Sequence, residues 1–268
     1  MGKKKITGVI QTYSRKAREQ IVSSAKEIFR EAGAEGSADD IFSCIDELIK
    51  NAVKANYKFV LIIKRLSERL RAEDPSAPEN IIIERLNSVI KDKQKYDAVA
   101  LEITANEEVS KNVRKVLNEE SVLIRLKNKT FTEKRDYTDD ERVKIEGLRD
   151  LQDMRIELDK RNMKVRISME KDDSFIYIEV TNNAPIMDKD LSRIYDKREE
   201  YKVFRDEGRE QEFFLNNLDT SDSGFGLGYA TIDSFLGAMG LDPFRSVQII
   251  AASNTTVILS IPIDSLKK

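Results

Sequence analysis

Glu47, Asn51 and Lys54 stand at i, i+4 and i+7, so a helix through this segment carries all three on one stripe. Their types suit phosphate chemistry. The amide oxygen of Asn51 can ligate a hard cation such as Mg²⁺. The Glu47 carboxylate, one turn earlier, can orient or deprotonate an attacking hydroxyl. Lys54 can neutralise phosphate charge. Taken alone, the same stripe describes an ordinary solvated helix face. A second set lies far downstream, where Gly224, Gly226 and Gly228 alternate with Phe225 and Leu227 before an apolar-periodic segment. Glycine lets a backbone approach a ligand closely. The start of a following helix adds unpaired N–H donors and the positive end of a dipole. Between the two sets, Val180-Thr181-Asn182-Asn183-Ala184-Pro185-Ile186 reads as a polar turn at the end of a strand.

Other chemistries are excluded by what is missing. The chain has no histidine and a single cysteine, Cys44. Ser-His-Asp and Cys-His catalysis within the chain, histidine zinc sites and thiolate clusters are therefore ruled out. Cys44 reads as a small buried side chain, and the absence of any internal disulfide fits a reducing compartment. A dinucleotide fingerprint wants a strand directly before its glycines, whereas the segment from Asn216 to Asp222 is polar and turn-like. A P-loop wants Gly-Lys-Ser/Thr, and none occurs. Charged residues make up 35% of the 268 residues, yet the formal net charge is only −2. That balance argues against a polyanion such as nucleic acid as the main partner. No stretch approaches the roughly 20 apolar residues of a membrane span. The basic start, Met1-Gly2-Lys3-Lys4-Lys5, has no apolar run behind it, so the expectation is a cytoplasmic protein.

The elements that position these residues follow from periodicity. Residues 14–33 read as an amphipathic helix, punctuated by Gly33 and Gly36. A second helix starts at Ser37, with Asp40 placed as in a capping box, and its pattern continues through residues 57–72 to Pro75 and Pro78. Residues 79–163 are charged and mostly helical in pattern, with Leu148, Leu151 and Leu158 on one stripe and a strand expected near Val99–Thr104. Alternation then predicts a hairpin, Val165–Met169 with Ile176–Val180, turning at Lys171-Asp172-Asp173. Residues 187–223 read as a long polar connection. A helix follows the glycines to about Met239, with Gly240 as its stop, and strands near Val247–Ala252 and Val257–Ile263 close the chain. This order predicts an α+β two-layer sandwich, with helices on one face of a mixed sheet.

Together, in this order, the segments resemble the GHKL ATPase superfamily, the Bergerat fold of histidine kinases, gyrase-type ATPases and large heat-shock chaperones. Glu47 to Lys54 looks like the N-box, Glu-x-x-x-Asn-Ala-x-Lys. Asn182 to Ile186 is similar to the first glycine box, with Asn182 at the usual aspartate and Ala184 and Ile186 at the usual glycines. Gly224 to Gly228 looks like the second glycine box, Gly-x-Gly-Leu-Gly. Leu191-Ser192-Arg193-Ile194-Tyr195-Asp196 resembles the segment that opens the ATP lid of histidine kinases. Asn254 to Pro262 resembles their final Gly-Thr-x-Phe-x-Leu-Pro strand.

The resemblance implies ATP and Mg²⁺ as ligands. Asn51 would coordinate the metal and Lys54 would contact phosphate. Gly224, Gly226, Leu227 and Gly228 would wrap the triphosphate. Asn182, with Ala184 in the same turn, would lie at adenine, and Thr256 is the candidate on the neighbouring strand. It also implies a division into an N-terminal helical segment (1–36), an ATPase core (37–56 and 164–268) and a helical insertion (57–163). Without a histidine the chain cannot phosphorylate itself as histidine kinases do. The N-box also resembles that of mitochondrial dehydrogenase kinases, so the expected function is a protein kinase acting on a partner protein, with Glu47 as its base. A gyrase- or chaperone-type ATP switch and a non-catalytic scaffold are the alternatives. The insertion reads as a partner or homodimerisation domain, or as a buttress of the sandwich.

Overall fold

Ser14 opens the first helix. Its extended backbone (φ −76°, ψ 161°) lets the hydroxyl accept from the Ala17 N–H, and α1 runs Arg15–Glu31. The helix ends at Gly33, whose φ of +71° is a conformation that glycine adopts freely. Ala17, Ile21, Ala25, Ile28 and Phe29 form its buried stripe. The computed structural model describes residues 4–105, 108–217 and 227–266. Among them, no helix is long and apolar enough to cross a membrane.

Residues 1–55 and 164–268 form one compact unit, and residues 56–163 a second. The boundary falls inside the long helix α2, Ala38–Glu73. In the second unit, α2 is followed by α3 (Glu79–Lys91), α4 (Lys93–Thr104), α5 (Glu108–Glu133), α6 (Asp139–Glu146) and α7 (Arg149–Lys160). The predicted leucine stripe is present: Leu148, Leu151 and Leu158 are all buried. The strand expected near Val99–Thr104 is instead the second half of α4. Its β-branched composition suggested a strand, but Asp92 caps the helix by accepting from the Lys95 N–H (3.1 Å), and Tyr96 and Ala100 bury at i and i+4. Deeper in this unit the Tyr57 hydroxyl donates to Glu120 at 3.1 Å, and burial lifts the Glu120 carboxyl above the ordinary range.

The first unit is built on a five-stranded sheet in the order β1-β2-β3-β5-β4, with β1 at Lys4–Ile10, β2 at Val165–Lys171, β3 at Phe175–Asn182, β4 at Val247–Ala251 and β5 at Thr255–Pro262. Every neighbouring pair is antiparallel, so the sheet is not mixed as expected. Strand β1 was unforeseen within a supposedly helical segment, because Lys3–Lys5 and Gly8 interrupt its apolar alternation. It is an edge strand, pairing Ile6 with Met169 and Ile10 with Val165. One face of the sheet is buried through Ile167, Met169, Ile178, Val180, Val257 and Leu259, and α1 packs against β1 and β2.

Residues 187–223 also depart from expectation. Asp188–Asp206 is helix α8 and Glu210–Asn217 is α9; residues 218–223 lie outside the described residues. The buried positions of α8 are Ile194, Arg198 and Tyr201, at i, i+4 and i+7. An arginine at the centre of the stripe hides it from any hydrophobic periodicity. Helix α10 (Leu227–Ala238) and the single turn α11 (Pro243–Ser246) precede the last hairpin. The expected stop is present, with Gly240 at φ +77° and the Leu241 N–H returning to the Leu236 carbonyl (2.9 Å).

Candidate nucleotide site

The apolar face of α2 (Ile41, Ile45, Leu48, Ile49, Ala52 and Val53) is buried, which leaves Glu47, Asn51 and Lys54 together on a half-buried stripe. The start of α10 lies against that stripe. A Cβ added to Gly228 would stand 2.5 Å from Glu47 Oε1 and 2.6 Å from Asn51 Nδ2. Gly228 has no positive φ, so the close approach and not the backbone angle calls for glycine here. The structure thus brings Glu47 and Asn51 against Gly228 in the first described turn of α10. Leu227 fixes that end by packing on the aromatic cluster of Tyr201 and Phe213, whose rings meet edge-on with centroids 5.2 Å apart. Gly224 and Gly226 lie outside the described residues.

Two further contacts hold α10 in place. Cys44 is buried on α2, with Sγ 4.0 Å from the Ile232 carbonyl; burial, with Asp233 and Asp40 nearby, pushes its thiol up to about 12. That is a packing cysteine and not a reactive one. Arg198 of α8 meets Asp233 of α10 in a two-pronged ion pair at 2.8 and 2.9 Å, and also donates to the Pro243 carbonyl at 2.9 Å. Both side chains are 1% exposed, and the guanidinium lies 4.6 Å from the centroid of the Phe244 ring.

On the neighbouring flank of α2, Asp46 accepts from Tyr13 (2.7 Å), Arg18 (3.1 Å) and Lys50 (2.6 Å). Burial works to raise its pKa, but Lys50, Tyr13 and Arg18 outweigh burial and hold the carboxyl below the ordinary range. The folded value is therefore the lower one. The stabilisation is present above the unfolded pKa of about 3.9 and is lost as pH falls through the folded value. We expect the melting-temperature gap between the wild type and Asp46→Asn to be widest above about pH 4 and to shrink as the pH falls below it. A gap independent of pH in an acid thermal-melt series would contradict this.

The turn after β3 forms a second cluster. Asn182 is buried, and its Nδ2 donates to the Ala184 carbonyl at 3.2 Å. The same carbonyl accepts from Thr255 Oγ1 at 2.8 Å, and Thr255 is the register partner of Asn182. Asn183 Oδ1 accepts from the Lys164 N–H at 2.7 Å, closing the turn onto the start of β2. Thr256 lies on the opposite face of the sheet, its hydroxyl 2.9 Å from that of Thr181. The residue beside Asn182 is therefore Thr255, which the sequence reading passed over for its neighbour. Strict alternation along β5 was the signal that separates them. Asparagine has a physical reason at 182, because an aspartate would set a carboxylate against a carbonyl oxygen. We expect Asn182→Asp to cost about 1–3 kcal/mol in urea unfolding; an unchanged midpoint would contradict that role.

No protein-family model, curated protein or solved structure matches this chain. Among the described residues no group of three or more His, Cys, Asp or Glu side chains is placed to hold a metal by itself. A magnesium ion that arrives with a triphosphate needs no such group. It keeps phosphate and water ligands and takes one or two from the protein. The Asn51 amide beside the glycine start of a helix fits that demand.

Proposed function

We propose that the unit of residues 1–55 and 164–268 is an ATP–Mg²⁺-binding domain of the GHKL type with a Bergerat-like fold, and that the protein transfers phosphate from ATP to a partner protein. The close approach of Gly228 to Glu47 and Asn51 carries this reading, since it unites two motifs far apart in the sequence. In this reading Asn51 would hold Mg²⁺, which would neutralise phosphate charge, and Lys54 would contact the phosphates. Gly224, Gly226, Leu227 and Gly228 would bind the triphosphate through their backbone N–H groups. Asn182, Ala184 and Thr255 form the adenine end, with Thr256 behind them on the other sheet face. Glu47 takes the proton of the attacking hydroxyl as its oxygen bonds to the γ-phosphorus and the bond to the ADP oxygen breaks.

Transfer of radiolabel from γ-labelled ATP to a cell extract tests the catalytic part. The expected result is label on a partner protein with the wild type, and none with Glu47→Ala or Asn51→Ala. No transfer, or transfer unchanged in both variants, would overturn it. One observation favours a second, non-catalytic reading: the Asn182 amide is engaged with the Ala184 carbonyl, a structural use of the turn. ATP binding without any transfer is the outcome that selects it.

A further inference from the structure

We propose that the hollow between α1 and β1 is a binding site for a small, uncharged, largely aliphatic molecule. It is a half-open groove of about 460 Å³, a volume within the range of small-molecule sites. Its apolar walls are Ile6, Ile10, Ile21, Ile167 and Met169, and its polar groups include Gln20, Ser23 and Ser24 on α1. Among the described residues no charged side chain lines it. A charged ligand would lose hydration there without gaining a partner, whereas a hydroxyl or amide can bond to the serine and glutamine groups.

Gly8 supplies the second, independent observation. It sits in the interior of β1, opposite Ile167, on the walled face. Its φ is not positive, and an added Cβ would meet no atom within 4 Å. Neither backbone angle nor crowding therefore calls for glycine at this position. Glycine weakens a strand, and inside one it often marks a bulge, a bend or the close approach of a ligand or another backbone; the β1–β2 register is unbroken across Gly8 and no backbone stands near an added Cβ, which leaves the ligand. The missing side chain opens the wall at the point where Ile6 and Ile10 flank it, leaving room for an aliphatic chain. The site uses none of the residues assigned to nucleotide, so it stands or falls separately from that function.

The test is a titration of the full chain with Nile red, an uncharged fluorophore, followed by competition. The expected result is a saturable fluorescence gain at one site, displaced by 1-decanol. Decanoate and decyltrimethylammonium should compete at least about tenfold more weakly than the alcohol, since each carries an unpartnered charge. Gly8→Leu fills the wall and Ser24→Phe blocks the rim from an independent position. Each should weaken Nile red at least about tenfold with an unchanged circular dichroism spectrum. No saturable gain, equal competition by the charged chains, or undiminished binding in whichever variants fold would overturn the proposal.

Discussion

Replacing Arg198 with alanine lowers the stability of the first unit by about 3–5 kcal/mol, the usual cost of stranding one member of a buried ion pair. Asp233, 1% exposed in the intact pair, loses its main counter-charge, and the Pro243 carbonyl loses a donor. Domain stabilities are only about 5–15 kcal/mol, so this variant stands close to unfolding at ambient temperature. The double change Arg198→Met with Asp233→Leu removes both charges and keeps an apolar filling. It should recover most of the loss. Urea unfolding of the three proteins checks this. A single variant as stable as the wild type, or a double variant worse than the single, would show that the pair is not what holds α8 to α10.

Gly228→Ala has the opposite signature. Alanine is the better helix former by about 1 kcal/mol, so helix propensity alone predicts a more stable protein. The added methyl, however, would fall 2.5 Å from Glu47 Oε1 and 2.6 Å from Asn51 Nδ2. Both are ends of flexible side chains, so they swing aside and the backbone stays in place. The expected result is a stability change within about 1 kcal/mol and an affinity for Mg²⁺–ATP lowered about tenfold or more. That corresponds to losing one hydrogen bond to a charged group, about 1.5–3 kcal/mol. Gly228→Val should deepen the binding loss. Unchanged affinity in both would mean that the approach of α10 to α2 serves packing alone.

Much of this arrangement was legible because it is periodic. The stripe of Glu47, Asn51 and Lys54 follows from helical spacing, and the hairpin of β2 and β3 follows from alternation. Gly33 and Gly240 stand where left-handed helix ends occur. What escaped depended on tertiary partners. Strand β1 is short, basic and broken by Gly8, and becomes a strand only through pairing with β2. Helix α8 carries Arg198 where a hydrophobic residue marks an ordinary stripe, and only the buried Asp233 makes that position tolerable. On β5 the strand was legible but its facing was not: Thr255 lies beside Asn182, and Thr256 faces Thr181 on the other side of the sheet. The choice of asparagine at 182 becomes understandable once its amide is seen to donate to the Ala184 carbonyl.

Calorimetric titration of the full chain with ATP in the presence and absence of Mg²⁺ tests the central claim most directly. The account predicts one site per chain that requires Mg²⁺. Affinity should fall at least about tenfold in Asn51→Ala, the loss of about 1.4 kcal/mol, while the circular dichroism spectrum is retained. No binding at millimolar ATP, or binding that neither Mg²⁺ nor Asn51 affects, would contradict it.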